Sequence, residues 1–451
     1  MCYNVIMKVA VVNSIWCKAI DNEARREITR LLKYKKVWFK QGKYSKIKHS
    51  RLASFIDGRS GIFLAGFLSR IEKKFPDMEI EGLITCDPYA FVPDIAKINF
   101  RKDQLKAIKK AVSHQRGVIQ FATASGKTVI AGGIISCFDE HKALFLAHSK
   151  DIISQTYERF KEYGFNCGLM SEGKWVSSSN GNQVLCATYQ SYFKRIDEFK
   201  PDIVIVDECH HVNSLSSQYG KILKKLDAFV RIGLTGTLPN TREGKLALEG
   251  LIGPVIAKLT IKEGVDKKII SLPKITLLPV KNIKRIAEFR KYHELRDKAI
   301  VNNRSRNRLI SRAIIRRVNK NKSCLIIVNE VKHGEILLND IYKMGYTAKF
   351  LQGKTPSQAR NKAKQNLINK KELAVITTNI WNEGVDIPTL DVVILAFGGK
   401  ANTRTIQAIG RGLRRVKGKK RVEIIDFLDP YRYLAEHVVA RLNIYKKEKL
   451  L

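Results

Sequence analysis

Acid is scarce in this sequence. Its 451 residues carry 42 Asp and Glu against 82 Lys and Arg, a formal net charge of +40. Such an excess repels itself unless a polyanion relieves it. Nucleic acid, held through its phosphates with steep salt dependence, is the expected polyanion; a merely soluble basic surface is the alternative. Between Lys33 and Arg51 there is no acid at all, and Tyr34, Trp38, Phe39 and Tyr44 interleave with the lysines. Aromatics among lysines suit base stacking or contact with a duplex. The same alternation also fits an edge hairpin around Gln41-Gly42 with a solvated basic face.

Long apolar runs are missing too. Stretches such as "IFLAGFL" and "VVILAFGG" fall well short of the roughly 18 residues of a membrane helix. The start, "MCYNVIMKVAVV", has no charged segment before its apolar part, unlike a secretory signal. An intracellular, soluble protein is expected. The eight cysteines are scattered, with no C-x-x-C pair and no Cys/His quartet at zinc spacing. That excludes a disulfide framework or zinc finger and leaves small, reduced core residues.

What is present is a globular composition, 44% hydrophobic, in three regions. Residues 1–95 hold the basic, aromatic-studded segment. Residues 96–258 alternate helical patterns with apolar runs such as "GVIQFA", "KALFLAH", "NQVLCAT", "DIVIVDE" and "RIGLTGT". Residues 259–451 begin with a charged helical stretch, about 283–318, and then repeat the style in "SCLIIVN", "LAVITTN", "DVVILAF" and "VEIIDF". Continuous apolar runs are strands of parallel sheets covered on both faces. Their alternation with helices predicts doubly wound α/β domains.

Two motifs suggest chemistry. "FATASGKTVI" places Gly126-Lys127-Thr128 between a strand and an apolar helix start, the context in which helix N–H groups face phosphate. It lacks the loop's first glycine, because Phe121 stands there. Lys127 would reach the β/γ-phosphates, and the Thr128 hydroxyl would face Mg²⁺. "PDIVIVDECHH" ends a buried strand on Asp207 and Glu208, the end at which α/β sheets bind ligands. Asp207 would hold Mg²⁺, and Glu208 would orient and deprotonate a water.

With these residues the chain resembles the superfamily 2 DExH-box helicases and translocases over about residues 98–428. The motif likenesses come in the family's order: "NFRKDQLKAI", "FATASGKT", "FLAHSKDIISQ", "ATYQS", "DECH", "LTGTLP", "CLIIVNEVKHG", "TTNIWNEGVDIP" and "QAIGRGLRR". The resemblance implies two RecA-like domains in tandem that use Mg²⁺ and ATP, with the small N-terminal region as an accessory DNA-binding domain or a folded cap. It implies that Arg101 and Gln104 read adenine, and that Ala124, Ser125, Gly126, Lys127 and Thr128 form the phosphate loop. Ala124 takes the place of a further glycine; Phe121 would pack behind the loop as the last strand residue. Gln407, Arg411 and Arg414 lie on one helical face and would act on the γ-phosphate, the arginines as fingers. Ala408 replaces an arginine the family often has there. Gly384 and Asp386 would touch both ligands. His210, Thr235 and Thr237 would couple them.

The same resemblance implies a phosphate track of Ser149, Lys150, Gln155, Thr188, Gln190, His333, Gly353 and Thr377, which would follow one strand without reading bases. Cap or turn roles are the alternative for each. Only about 35 residues follow the last motif, which argues against a nuclease appendage. The pattern is most similar to phage recombination helicases of the UvsW type. It implies a monomer acting on forked or four-way DNA in recombination or repair, in the host cytoplasm if phage-encoded. An RNA helicase or RNA-stimulated ATPase, and a non-hydrolysing nucleic-acid clamp, are the competing readings.

Overall fold

The computed structural model describes all residues except 1–6, 42–45, 83–86, 97, 172, 178–182, 379–380, 382–386, 400–409, 411, 417–418 and 420. Two compact units emerge. One comprises residues 1–121 and 126–258, the other 259–451 with 122–125.

The first unit is built on an eight-stranded sheet. Its order is Lys174–Val176, Cys167–Ser171, Val184–Thr188, Ala143–Ala147, Ile203–Asp207, Val230–Thr235, Arg116–Phe121 and Val255–Leu259. From Cys167–Ser171 to Arg116–Phe121 the neighbours are parallel. The pleat sends alternate residues to opposite faces. Leu144 and Leu146 join Val204 and Val206 in one core, whereas Phe145 meets Phe160 of helix Lys150–Glu162 with ring centroids 5.6 Å apart. That two-sided burial is why these strands read as unbroken apolar runs.

A second, four-stranded sheet, in the order Ile62–Leu64, Trp16–Ala19, Lys8–Val11 and Glu79–Glu81, belongs to the same unit. Its Val9, Cys17 and Phe63, with Phe67 of the turn that follows Ile62–Leu64, share the core of Leu144 and Val204. Two contacts pin it further. Ser14 donates to Asp227 at 2.6 Å, and the Arg116 guanidinium donates to the Ser14 carbonyl. Lys33–Gln41 and Lys46–Ser54 pair only with each other, as an antiparallel ribbon. The expected hairpin is therefore present, and its turn lies outside the described residues.

The second unit carries a six-stranded parallel sheet: Leu272–Pro279, Arg421–Leu428, Val392–Leu395, Cys324–Ile327, Ala374–Thr377 and Lys349–Leu351. Leu325, Val375 and Val393 fill the core on one face; Cys324, Ile326, Ala374 and Ile394 fill the other. The stretch expected to be helical holds Lys284–Ala287, Tyr292–Arg296 and Arg304–Val318. Both units are thus α/β folds around parallel sheets, as tandem RecA-like domains are. The six described cysteines, Cys17, Cys137, Cys167, Cys186, Cys209 and Cys324, are all buried free thiols.

Candidate functional site

Because the central strands of the first sheet are parallel, their C-terminal ends lie along one edge, where such sheets bind ligands. Four of the sequence motifs end there. The strand Arg116–Phe121 runs into the phosphate loop, Ala143–Ala147 into Ser149, Ile203–Asp207 into Glu208, and Val230–Thr235 ends on Thr235.

Phe121 closes its strand and is buried. The turn after it is fixed by Ser125, whose N–H and hydroxyl both donate to the Ala122 carbonyl, at 3.2 and 2.6 Å. Ser125 is fully buried, so its side chain shapes the loop from within. Ala124 has φ +67° and Gly126 φ +89°. The left-handed region costs a residue with a Cβ about 1–2 kcal/mol, so the missing glycine at 124 leaves the loop shape intact at a modest price in strain. Helix Lys127–Ser136 starts directly after Gly126. Lys127 and Thr128 are its first two residues, and their N–H groups are among those a helix leaves open at its start.

Gln104 is packed against this loop. It is buried, and its Oε1 accepts the Arg101 N–H at 3.0 Å, closing a capping box at the start of helix Lys102–His114. A Cβ added at Gly126 would sit 2.5 Å from its Nε2. Arg101 forms a forked pair with Asp103 at 3.0 and 3.1 Å.

The acids face the lysine. Lys127 Nζ is 3.9 Å from Glu208 Oε1, with both side chains about nine-tenths buried. The Glu208 N–H donates to Asp207 Oδ1 at 2.9 Å, and Glu208 itself takes φ +47°. Strain of this kind, worth about 1–3 kcal/mol, gathers at functional sites. Burial, and then the neighbouring Glu208 charge, push the Asp207 carboxyl up to about 6, against the pull of Lys127. Two adjacent carboxylates out of water call for a cation beyond Lys127.

Among the described residues no group of three His, Cys, Asp or Glu could hold a metal. Mg²⁺ needs no such cage, since it keeps waters and binds through one or two carboxylates and substrate phosphates. The donor set therefore fits Mg²⁺ with a nucleoside triphosphate: Thr128 and Asp207 for the ion, the helix start and Lys127 for the phosphates.

Behind the acids stands His210. Its Nδ1 is 3.3 Å from Glu208 Oε2 and 3.1 Å from Thr235 Oγ1. The Thr235 hydroxyl donates to the Thr237 carbonyl at 2.6 Å and accepts the Thr237 N–H at 3.2 Å. Its proton is thus committed, and His210 Nδ1 must be the donor to it. The "DECH" and "LTGT" motifs form one network around Glu208.

Two domain models match this chain in tandem. "Type III restriction enzyme, res subunit" matches residues 97–240, and "Helicase conserved C-terminal domain" matches residues 305–416, together more than half the sequence. The chain belongs to the superfamily 2 helicases. Its paired domains are those of an ATP-dependent helicase. Among its relatives is the DNA 3'-5' translocase XPB2 of Sulfurisphaera tokodaii, 27% identical over 76% of this chain and 85% of that one. Another is the ATP-dependent DNA helicase uvsW of Enterobacteria phage T4, 22% identical over 77% of this chain and 75% of that one. A DNA-bound structure of the ATP-dependent Type ISP restriction-modification enzyme LlaBIII shares the fold, with a TM-score of 0.59 and 18% identity over 85% of this chain and 32% of that one.

The helicase's expected track residues divide. Ser149 is the N-cap position of helix Lys150–Glu162 without a side-chain cap bond, and Lys150 is exposed. Gln155 is partly buried; Gln190 and Gly353 are exposed. The other three have their side chains engaged inside the fold. Thr188 is buried and caps helix Tyr189–Phe193 by accepting the Ser191 N–H at 3.4 Å. Thr377 is buried and donates to the Thr378 carbonyl at 3.0 Å. His333 is buried on helix Val331–Lys343 with Nε2 3.1 Å from Asn307 Oδ1. Arg414 is partly buried; it bridges to Ile270, and its carbonyl accepts from Ser271 Oγ at 3.3 Å. Gln407, Arg411, Gly384 and Asp386 lie outside the described residues.

His333 carries a pH prediction. Burial, and then the charges of Arg306 and Arg296, hold its imidazole down at about 3. The unfolded chain therefore binds a proton below pH 6.5 that the folded chain refuses, so stability falls as pH drops from about 6.5 towards 3. Urea titrations are expected to show the wild type losing on the order of 1 kcal/mol per pH unit more than His333→Gln over that window.

Two features were missed from sequence. His148 and His211 extend the network: the rings of His210 and His211 lie 4.4 Å apart, and those of His211 and His148 4.5 Å. His148 immediately precedes Ser149. The second histidine of "DECHH" was the available signal. Lys419 donates from Nζ to the carbonyls of Pro388 and Gly412, at 2.9 and 2.7 Å, joining the end of one helicase motif to the middle of another. Burial lowers it to about 8. One lysine in a basic run gave no signal.

Proposed function

We propose that this helicase uses Mg²⁺-ATP to move along and remodel branched DNA, such as forks and four-way junctions. One observation carries the reading: buried Lys127, Asp207 and Glu208 converge at the start of a helix. A clamp that had lost hydrolysis would have no use for two buried, mutually repelling carboxylates. The relatives named for DNA activity support the choice of polymer. The uvsW relative supports placing the chain with phage recombination helicases.

In this reading residues 1–95 form an accessory DNA-binding region, 96–258 the ATP-binding domain, and 259–451 the linker helices and second helicase domain, in a monomer. Lys127 and the open N–H groups after Gly126 hold the phosphates, with Arg101 and Gln104 on the base side. Thr128 and Asp207 would hold Mg²⁺, which would neutralise charge on the phosphates. Glu208 orients the attacking water and takes its proton. Arg411 and Arg414, with Gln407, stabilise charge developing on the transferred phosphoryl group. Gly384 and Asp386 take part in coupling. Ser149, Lys150, Gln155, Gln190 and Gly353 contact the DNA backbone, which positions the strand without reading sequence. No described helix is long and apolar enough to cross a membrane.

The His210–His211–His148 stack leads from Glu208 to Ser149 and is assigned to coupling between turnover and DNA. His211→Ala is expected to leave DNA-free turnover near the wild-type rate and to cut its stimulation by forked DNA several-fold, read as the ratio of the two rates. Equal loss of both rates would make the stack purely structural. The wider reading is tested by ATP-dependent processing of a fork, a four-way junction and a plain tailed duplex side by side, with preference for the branched substrates expected.

A further inference from the structure

The ribbon Lys33–Gln41 with Lys46–Ser54 is organised as more than a solvated basic hairpin. Its register puts Tyr34 opposite Ala53, Lys36 opposite Arg51 and Trp38 opposite His49. Residues directly opposite in an antiparallel pair share a face, and alternate residues return to it. One face therefore carries, from root outward, an aromatic anchor, a pair of facing cations and a stacked ring pair. The anchor is Tyr34, whose ring lies 4.8 Å from that of Phe55, next to the Lys33 carbonyl that accepts Arg242 Nε at 3.1 Å. Trp38 and His49 lie 5.6 Å apart with 17° between their planes.

This arrangement is unfavourable for the ribbon alone. A two-stranded sheet is marginal in water, and like charges directly opposite destabilise it further. The other face exposes Val37 and Leu52, 40% and 67% accessible, and so gives little compensating burial. A bound anion would reverse the sign of the Lys36–Arg51 term. Adjacent flat rings suit a nucleobase, but only one free of its partner strand.

We infer that this face of the ribbon seats an unpaired nucleotide at a DNA branch point, its backbone phosphate between Lys36 and Arg51 and its base against the Trp38–His49 pair. The inference rests on the DNA reading above and names the contact that makes it specific for branches. Shielding of an exposed sheet edge by lysines is the competing explanation.

Lys36→Glu separates the two. It creates an opposite-charge pair with Arg51, so the ribbon is kept or strengthened, and a charged residue still guards the edge. Full-length protein would be titrated with a labelled fork bearing an unpaired arm, and with a fully paired duplex, at several salt concentrations. For Lys36→Glu the melting temperature is expected to hold or rise. Fork affinity should fall on the order of tenfold at low salt, and the slope of log K against log salt should flatten by about 0.7 to 1.4. Trp38→Ala is expected to weaken the fork about fivefold or more and the paired duplex little. DNA-free ATP turnover should be unchanged in both variants. Wild-type fork affinity in Lys36→Glu, or equal losses on both substrates in Trp38→Ala, would overturn the assignment. If both variants match a wild type that DNA does stimulate, only the ribbon assignment fails. If no DNA stimulates the wild type, the proposed function fails.

Discussion

Glu208→Gln and Lys127→Ala are each expected to cut ATP turnover at least about 10³-fold, with salt-sensitive DNA binding left in place. The two losses have different origins. Glutamine keeps the size of Glu208 and the Nδ1–H of His210 as a partner, but it cannot accept a proton from water. Nucleotide should still bind to that variant. Lys127 faces the acid pair, 3.9 Å from Glu208. Its removal takes a charge from the phosphates and leaves two buried carboxylates less compensated, so nucleotide affinity should fall together with rate. Steady-state turnover, nucleotide titration and DNA binding on each variant separate these outcomes. Near-normal turnover in both would remove the site assignment.

The second large effect is expected from one methyl group. Gly126→Ala places a Cβ 2.5 Å from Gln104 Nε2, at a backbone φ of +89°. Either the loop moves or Gln104 leaves its place, where its Oε1 caps the helix behind Arg101. A phosphate loop works by close backbone approach, so nucleotide affinity is expected to fall about 100-fold or more, in line with the steep cost of small displacements in positioned sites. The double variant Gly126→Ala/Gln104→Ala should recover part of the loss, because it removes the clash and keeps the strain. Ala124→Gly, by contrast, should leave binding intact. That position is already left-handed at φ +67°, and a glycine there only relieves strain. Titration with a fluorescent nucleotide compares the three.

Much of the fold was legible because buried parallel strands advertise themselves. "DIVIVDE" reads as apolar since both faces of Ile203–Asp207 are covered, and the acids that follow are then forced to the sheet edge. The phosphate loop was legible from its second half alone. Its first half was opaque because Ser125 acts through hydrogen bonds to Ala122 that no pattern encodes.

The track was the least legible part. A polar residue at the end of a strand has the same signature whether it faces a ligand or satisfies the fold. The hydroxyls of Thr188 and Thr377 both make hydrogen bonds within the fold. His333 followed the same logic: Asn307, 26 residues away in sequence, holds it in the core. The histidine stack escaped for the converse reason. His148 and His211 follow different strands, Ala143–Ala147 and Ile203–Asp207, and only the parallel register of the sheet brings their rings together. In the ribbon, the alternation of lysine and aromatic was visible, but the facing of Lys36 and Arg51 depends on a register that composition does not carry.

The most direct measurement is ATP turnover by the full chain with forked DNA, a four-way junction, plain duplex and RNA of the same sequence, run in parallel with Glu208→Gln. The expected result is turnover raised by DNA, most by the fork and junction, less by duplex and RNA, and lost in Glu208→Gln on every substrate. Stimulation by RNA equal to or above that by DNA would contradict the choice of polymer, and turnover surviving in Glu208→Gln would contradict the catalytic site itself.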